Sequence, residues 1–266
     1  MILDDVTRPN QERWDALAQA NVLYSRPRLN LDAGQARQEV DREGVMGDVA
    51  GKEVLCLASG GGQQSAAFAL LGAHVTVLDL SATQLERDRQ AADHYGLTIT
   101  TTQGDMRDLS AFADRTFDLV WHAYSINFVP DPQPVFAEVA RVLRPGGLYR
   151  VMAANPFIML VDDEAWDGRG YLLQHAYRNG FEVGQLFPEW TFEDENGGQH
   201  KLIGPREWVH SLHALTTGLA RHGFRLLGIW EELSTEAQPE PGTWEHFKAL
   251  APPWLTFWSH YLPLER

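Results

Sequence analysis

The sequence predicts an α/β fold built on a parallel sheet, and three observations carry that prediction. Short apolar runs alternate with segments of helical period between Lys52 and Ala153. A glycine turn, Ser59-Gly60-Gly61-Gly62, follows the first run directly. Acidic residues stand just beyond the next two runs, at Asp79 and Asp105.

Residues 52–58 are too apolar and too few for a surface helix and read as a central strand. The glycines after it allow a sharp turn and let a ligand approach main-chain N–H groups that a Cβ would shield. A helix over 63–71 follows, its N-terminal N–H groups suited to an anion or polar ligand edge, and Gly72 ends it. Residues 73–78 form a second strand, which leaves Asp79 where a carboxylate can take two ribose hydroxyls. Ser81 with Gln84 is a capping-box pattern that starts a helix reaching Tyr95, closed by Gly96. A third strand over 97–102 puts Asp105 at the same sheet edge. Residues 116–121 are the fourth strand, and Val135, Phe136, Val139 and Val142 mark the inward stripe of a helix over 133–143. Leu143-Arg144-Pro145-Gly146-Gly147 stops that helix before a fifth strand at 148–153. A nucleoside-containing cofactor across the carboxyl ends of parallel strands is the physical reading.

A dinucleotide site wants a third glycine where this chain has Ser65. With Gly60-Gly61-Gly62, Asp79, Gly104-Asp105, Phe117-Asp118-Leu119-Val120 and the Pro145-Gly146-Gly147 turn in order, the chain resembles the class I S-adenosylmethionine-dependent methyltransferases. The resemblance implies a seven-stranded, mostly parallel, Rossmann-like sheet with an antiparallel C-terminal strand. It implies S-adenosylmethionine as cofactor and S-adenosylhomocysteine as product. The cofactor-binding roles fall on Ser59, Gly60, Gly61, Gly62 and Gln64, on Asp79 and Leu80 at the ribose, and on Asp105 and Met106 beside the adenine, with His122 close by. The chain departs from the family at Cys56, where an acidic residue is usual in the first strand, and at Ala58, where a glycine is usual.

The flanks add four expected regions: an N-terminal helical lid over 1–48, the cofactor-binding half over 49–155, a substrate cap over 156–204, and the rest of the sheet over 205–266. In the first, a helix within 4–21 carries Trp14 and Leu17, followed by an irregular stretch in which Tyr24 and Arg26 are candidate lid residues. A second short helix is expected over 31–43. In the cap, a hairpin is expected with arms in 181–192 and 199–203 about the loop 194–198. Phe157, Trp166, Tyr171, Trp190 and Phe192 are assigned to substrate selectivity as a group, with Tyr24 and Asn127. Pro205 is read as the first turn of a helix with Leu212, Leu215 and Leu219 inward. A sixth strand over 224–232, a short helix over 244–250 and a terminal strand over 254–261 complete the chain.

Methyl transfer from a sulfonium rests largely on proximity and alignment, so a protein base is optional. His122 is the first candidate for one, at the end of the fourth strand, and Tyr124 in the same loop is the second. His175, Asp162 and Asp163 are weaker candidates. The expected function is methylation of O, N or C on a small or medium organic acceptor. Two other readings stay open on the residues: a nicotinamide-dependent oxidoreductase, and a non-catalytic S-adenosylmethionine-binding regulatory protein.

The 266 residues carry 22 Lys plus Arg against 36 Asp plus Glu, a formal net charge of −14, which disfavours nucleic acid as partner. One cysteine, Cys56, allows no internal disulfide and reads as a small buried hydrophobe. His210 and His213 lack further ligands at metal-site spacing, so no metal is expected. Neither a secretion signal nor a membrane-length apolar run is visible, and a cytoplasmic monomer or homodimer is expected.

Overall fold

The computed structural model describes residues 3–193 and 198–263. Its helices are α1 (Thr7–Gln19), α2 (Ala33–Val40), α3 (Gln64–Leu70), α4 (Ala82–Tyr95), α5 (Gln133–Val142), α6 (Leu212–Arg221) and α7 (Trp244–Leu250). The strands are β1 (Glu53–Leu57), β2 (His74–Asp79), β3 (Ile99–Gln103), β4 (Phe117–Tyr124), β5 (Leu143–Ala154), β6 (Glu189–Glu193), β7 (Gln199–Ile203), β8 (Phe224–Glu231) and β9 (Trp254–Tyr261). Seven of these form one sheet in the order β3-β2-β1-β4-β5-β9-β8, with β9 antiparallel to both neighbours. The order reverses between β1 and β4, and ligands of open α/β sheets bind in the crevice outside the strand ends at such a point.

Alternation along β1 explains why its run is apolar throughout. Leu55 and Leu57 face the cluster built with α5 and α6, while Val54 and Cys56 face the one built with Ala36, Val40 and Phe68 of α2 and α3. Cys56 is therefore a fully buried packing residue with a free thiol, as its sequence context suggests. At the opposite sheet edge, Asp118 accepts from the Glu53 N–H at 3.0 Å and pairs with Arg144 at 2.7 Å. The aspartate of the fourth strand thus fixes the entry to β1 and the turn before the long run of β5.

The antiparallel C-terminal strand implied by the resemblance is β9, and it lies inside the sheet between β5 and β8. The expected hairpin is present as β6 with β7. Most of its expected loop, residues 194–197, falls outside the described residues. One element differs. Residues 205–210 are extended, and the helix begins only at Leu212, capped by the Ser211 hydroxyl. Backbone pairing elsewhere overrides the proline signal: Trp208 N–H donates to Asn127 C=O at 2.8 Å, Val209 N–H to Phe181 C=O at 2.9 Å, and Glu207 C=O accepts from Val183 N–H at 2.8 Å. The segment is a strap tying residues 181–183 to the turn after β4. Among the described residues, no helix is long and apolar enough to cross a membrane.

Trp258 of β9 is fully buried, and its indole N–H donates to Glu43 at 3.3 Å. Trp258→Ala should lower unfolding free energy by about 3–5 kcal/mol in urea titration, and a chain cut before β9 should lose its cooperative melt. A truncated protein that still melts cooperatively would contradict the central position of this strand.

Candidate active site

A cavity of about 950 Å³ opens at the carboxyl ends of β1, β2 and β4. One part of its wall is Ser59, Gly60, Gln64, Asp79, Leu80, Asp105 and Met106. These are the predicted cofactor residues apart from Gly61, Gly62 and His122. A Cβ on Gly60 would lie 2.6 Å from Gln84 Cβ and 3.0 Å from Asp79 Cγ, so only glycine lets the turn lie this close to the acidic strand end. Gly62 has φ +73, and a Cβ there would meet the Arg87 carbonyl at 2.5 Å. Ala58, at a place where the family has glycine, adopts φ +45, a conformation that costs a residue with a Cβ about 1–2 kcal/mol.

Gly61 and Gly62 turn their N–H groups away from the cavity. Both donate to the buried carboxylate of Asp88 on α4, at 3.2 and 3.1 Å, and the Ser65 hydroxyl donates to the same group. Burial pushes the Asp88 carboxyl up to about 7, against the lowering effect of those three donors. Asp79 accepts from Gly60 N–H at 2.8 Å and Ser81 N–H at 2.9 Å, and burial pushes it up to about 6. Gln84 also lines the cavity, and its side-chain oxygen is buried without a partner. A carboxylate beside an unpartnered amide oxygen is an acceptor pair fitted to adjacent hydroxyl donors, as on the ribose of S-adenosylmethionine. Asp105 lines the cavity too, but its carboxylate is gripped by Arg107 at 2.6–3.1 Å, and Arg107 reaches on to Asp4 at 2.9 Å.

His122 is not placed to act as a base or to touch a cofactor. It is fully buried, does not line the cavity, and its Nδ1 lies 2.9 Å from the Tyr149 hydroxyl. Desolvation, with the nearby Arg150 cation, pushes its imidazole down to about 3, so it stays neutral. Tyr124 does line the cavity, and its hydroxyl donates to Glu207 at 2.8 Å. Glu207 comes from the extended strap, also bonds the Trp190 side chain, and is pushed up by burial to about 7.

Of the substrate candidates, Tyr24 and Trp190 reach the cavity, together with Trp14 and Phe128. The others do not line it. Asn127 is a buried latch, donating to Trp208 C=O at 2.9 Å and accepting from Ala154 N–H at 2.9 Å. Phe157 is 56% exposed and stacks on Tyr177. Trp166 and Tyr171 pack on each other and on His246 of α7. Phe192 is buried with Leu17 and Val22. The N-terminal stretch is tied to the glycine turn at Gln63, whose amide donates to Tyr24 C=O at 2.8 Å and Arg26 C=O at 2.9 Å.

Sequence reasoning missed Asp88, Gln84, Glu207 and Trp14. Asp88 had a signal, since it sits on the inward stripe of α4 with Leu85 and Ala92. Glu207 was hidden by the helix expected there. The raised pKa of Asp88 means that its ionisation costs the folded chain stability as pH rises from about 4 through 7. Asp88→Asn should therefore be less stable than the parent at pH 5, with the deficit narrowing by pH 8 in urea titrations. A deficit that widened with pH would reverse the assigned protonation.

Known proteins share the sequence and fold of this chain. A methyltransferase domain model matches residues 55–151. An uncharacterized methyltransferase of Bacillus subtilis, YbaJ, is 47% identical over 82% of this chain and 84% of its own length. A demethylmenaquinone methyltransferase of Clavibacter sepedonicus is 41% identical over 48% of this chain, which spans about half (52%) of that relative. A solved S-adenosylmethionine-dependent methyltransferase from Mesorhizobium loti superposes with TM-score 0.58 over 85% of this chain and 98% of its own, at 21% identity, and so shares the fold. The nicotinamide alternative falls with these matches, and the chain belongs to the class I S-adenosylmethionine-dependent methyltransferases.

Proposed function

We propose that this enzyme, an S-adenosylmethionine-dependent methyltransferase by family, binds the donor along Gly60, Asp79, Gln84 and Asp105 and methylates a small or medium organic acceptor in the aromatic part of the same cavity. The observation that carries the reading is the continuity of that cavity. It runs from Gly60 and Asp79 to Trp14, Tyr24, Tyr124 and Trp190 in a single space of about 950 Å³, at the upper end of the roughly 300–1,000 Å³ of ligand pockets. Two ligands can then meet inside one wall.

In this reading Asp79 and the Gln84 oxygen take the ribose hydroxyls, and Asp105, held in orientation by Arg107, faces the adenine amino group beside Met106. Ser59, Gln64 and Leu80 complete that wall. Gly61 and Gly62 act through Asp88, shaping the turn rather than touching the ligand. When bound, the donor supplies a methyl carbon on an already cationic leaving group, so alignment does much of the work. The aromatic walls exclude water and orient the acceptor, and Tyr124 stands at their edge with a hydroxyl bonded to Glu207.

The described residues of segments 1–48 and 156–204 would cover the cofactor half, residues 49–155, and those of 205–266 finish the sheet. A small-molecule acceptor fits the company of a relative named for demethylmenaquinone. The surplus of 14 negative charges disfavours nucleic acid as acceptor, and the composition suits a cytoplasmic monomer or homodimer. Among the described residues no group of three or more His, Cys, Asp or Glu could hold a metal ion.

Isothermal titration with S-adenosylmethionine, S-adenosylhomocysteine and NAD tests the reading. The two sulfur nucleosides should bind and NAD should not. Asp79→Ala should weaken S-adenosylhomocysteine at least tenfold and Asp105→Ala by less, because Arg107 already shares that carboxylate. Unchanged dissociation constants in both folded variants would remove these residues from the donor site.

A further inference from the structure

Glu207 is a buried carboxylate whose donors are neutral: the Tyr124 hydroxyl at 2.8 Å and the Trp190 indole. Its chain neighbour Arg206 gives it nothing, because that guanidinium binds Glu182 at 2.7 and 2.9 Å and lies over the Trp208 ring. Among the described residues no cation pairs with Glu207. A carboxylate removed from water and given only neutral donors is costly, and a cation entering beside it relieves that cost.

The surroundings of Glu207 suit such a cation. Trp14, Tyr24, Tyr124, Phe128 and Trp190 line the same cavity and form a linked set of rings. Centroids lie 6.1 Å apart for Trp14 and Trp190, 6.2 Å for Tyr24 and Trp190, 6.1 Å for Phe128 and Trp190, and 5.7 Å for Tyr124 and Phe128. Ring faces attract an ammonium group and have no comparable preference for a neutral hydroxyl. The wall also carries Asp162, Asp163, Glu164 and Glu189, against Lys201 as its cation among the described residues. An acceptor with negative charge is repelled by this wall.

Building on the methyl-transfer reading above, we propose that the acceptor is an amine, and that Glu207 within the ring of Trp14, Tyr24, Tyr124, Phe128 and Trp190 binds its ammonium group and takes its proton. An ammonium nitrogen has no free electron pair, so it must lose a proton before it can react. Glu207 accepts that proton. The freed lone pair forms the new nitrogen–carbon bond to the donor's methyl group while the carbon–sulfur bond breaks and leaves its electrons on sulfur. The nitrogen ends methylated and carrying the positive charge, and the sulfur ends neutral. Glu207, poised by burial near neutrality at about 7, then returns its proton to water.

The test starts with S-adenosylhomocysteine alone, whose failure to bind would sink the methyl-transfer reading itself. The saturated complex is next titrated with 2-phenylethylamine and tryptamine, each matched by the alcohol of the same skeleton. At pH 7.5 each amine should bind at least tenfold more tightly than its alcohol, and amines should be methylated when S-adenosylmethionine replaces the product. Glu207→Gln should erase most of that discrimination while leaving S-adenosylhomocysteine affinity within twofold. The amine–alcohol comparison in the parent protein stands whether or not the variant folds. Alcohols binding as well as amines, or neither binding at millimolar concentration to a complex that holds S-adenosylhomocysteine, overturns the proposal and leaves the family reading intact.

Discussion

The glycine turn depends on one buried carboxylate. Asp88 reaches from α4 to take the N–H groups of Gly61 and Gly62 and the hydroxyl of Ser65, and all three would otherwise be buried donors without partners. Leaving such donors unmade costs about 1–3 kcal/mol each. Just before the turn Ala58 sits at φ +45, with its N–H bonded to Leu78 C=O at 2.7 Å. The family's usual acid in the first strand is absent here, and burial, with the nearby Asp88 charge adding to it, holds the thiol of Cys56 in its place protonated. A carboxylate is still present beneath the turn, supplied from a helix rather than from the strand.

Much of the sheet was legible because its signals are local. β1, β2 and β4 are apolar or β-branched runs bounded by glycine, a capping serine or a turn, and Asp79 and Asp105 stand at or just past the ends of β2 and β3, so their place at the sheet edge follows from chain order alone. The same holds for Gly60, whose role needs only its position between a strand and a helix. The resemblance supplied the antiparallel β9, which composition could offer only as an aromatic run near the end.

What was not legible depends on contacts between distant segments. Glu207 reaches the cavity only because residues 205–210 pair with Asn127, Phe181 and Val183, none of them a sequence neighbour. Local proline chemistry argued for a helix, and long-range pairing won. His122 looked like a base because it closes a strand next to the site, but strand alternation turns its ring inward to Tyr149. Phe157, Trp166 and Tyr171 belong to the right segment, yet their rings find partners in Tyr177 and in α7 instead of the cavity.

The aromatic wall is assembled from α1, the turn at Tyr24, the end of β4 with the turn after it, and β6, while its carboxylate comes from the strap. Hairpin and N-terminal helix also share a small core of Leu17, Val22 and Phe192. In the proposed reading, acceptor preference is therefore not a modular trait of segment 156–204. A chimera that exchanged the cap alone would import one ring of five and mismatch the core beneath it. In that reading a change of acceptor needs matched changes in α1, at the end of β4, in β6 and in the strap.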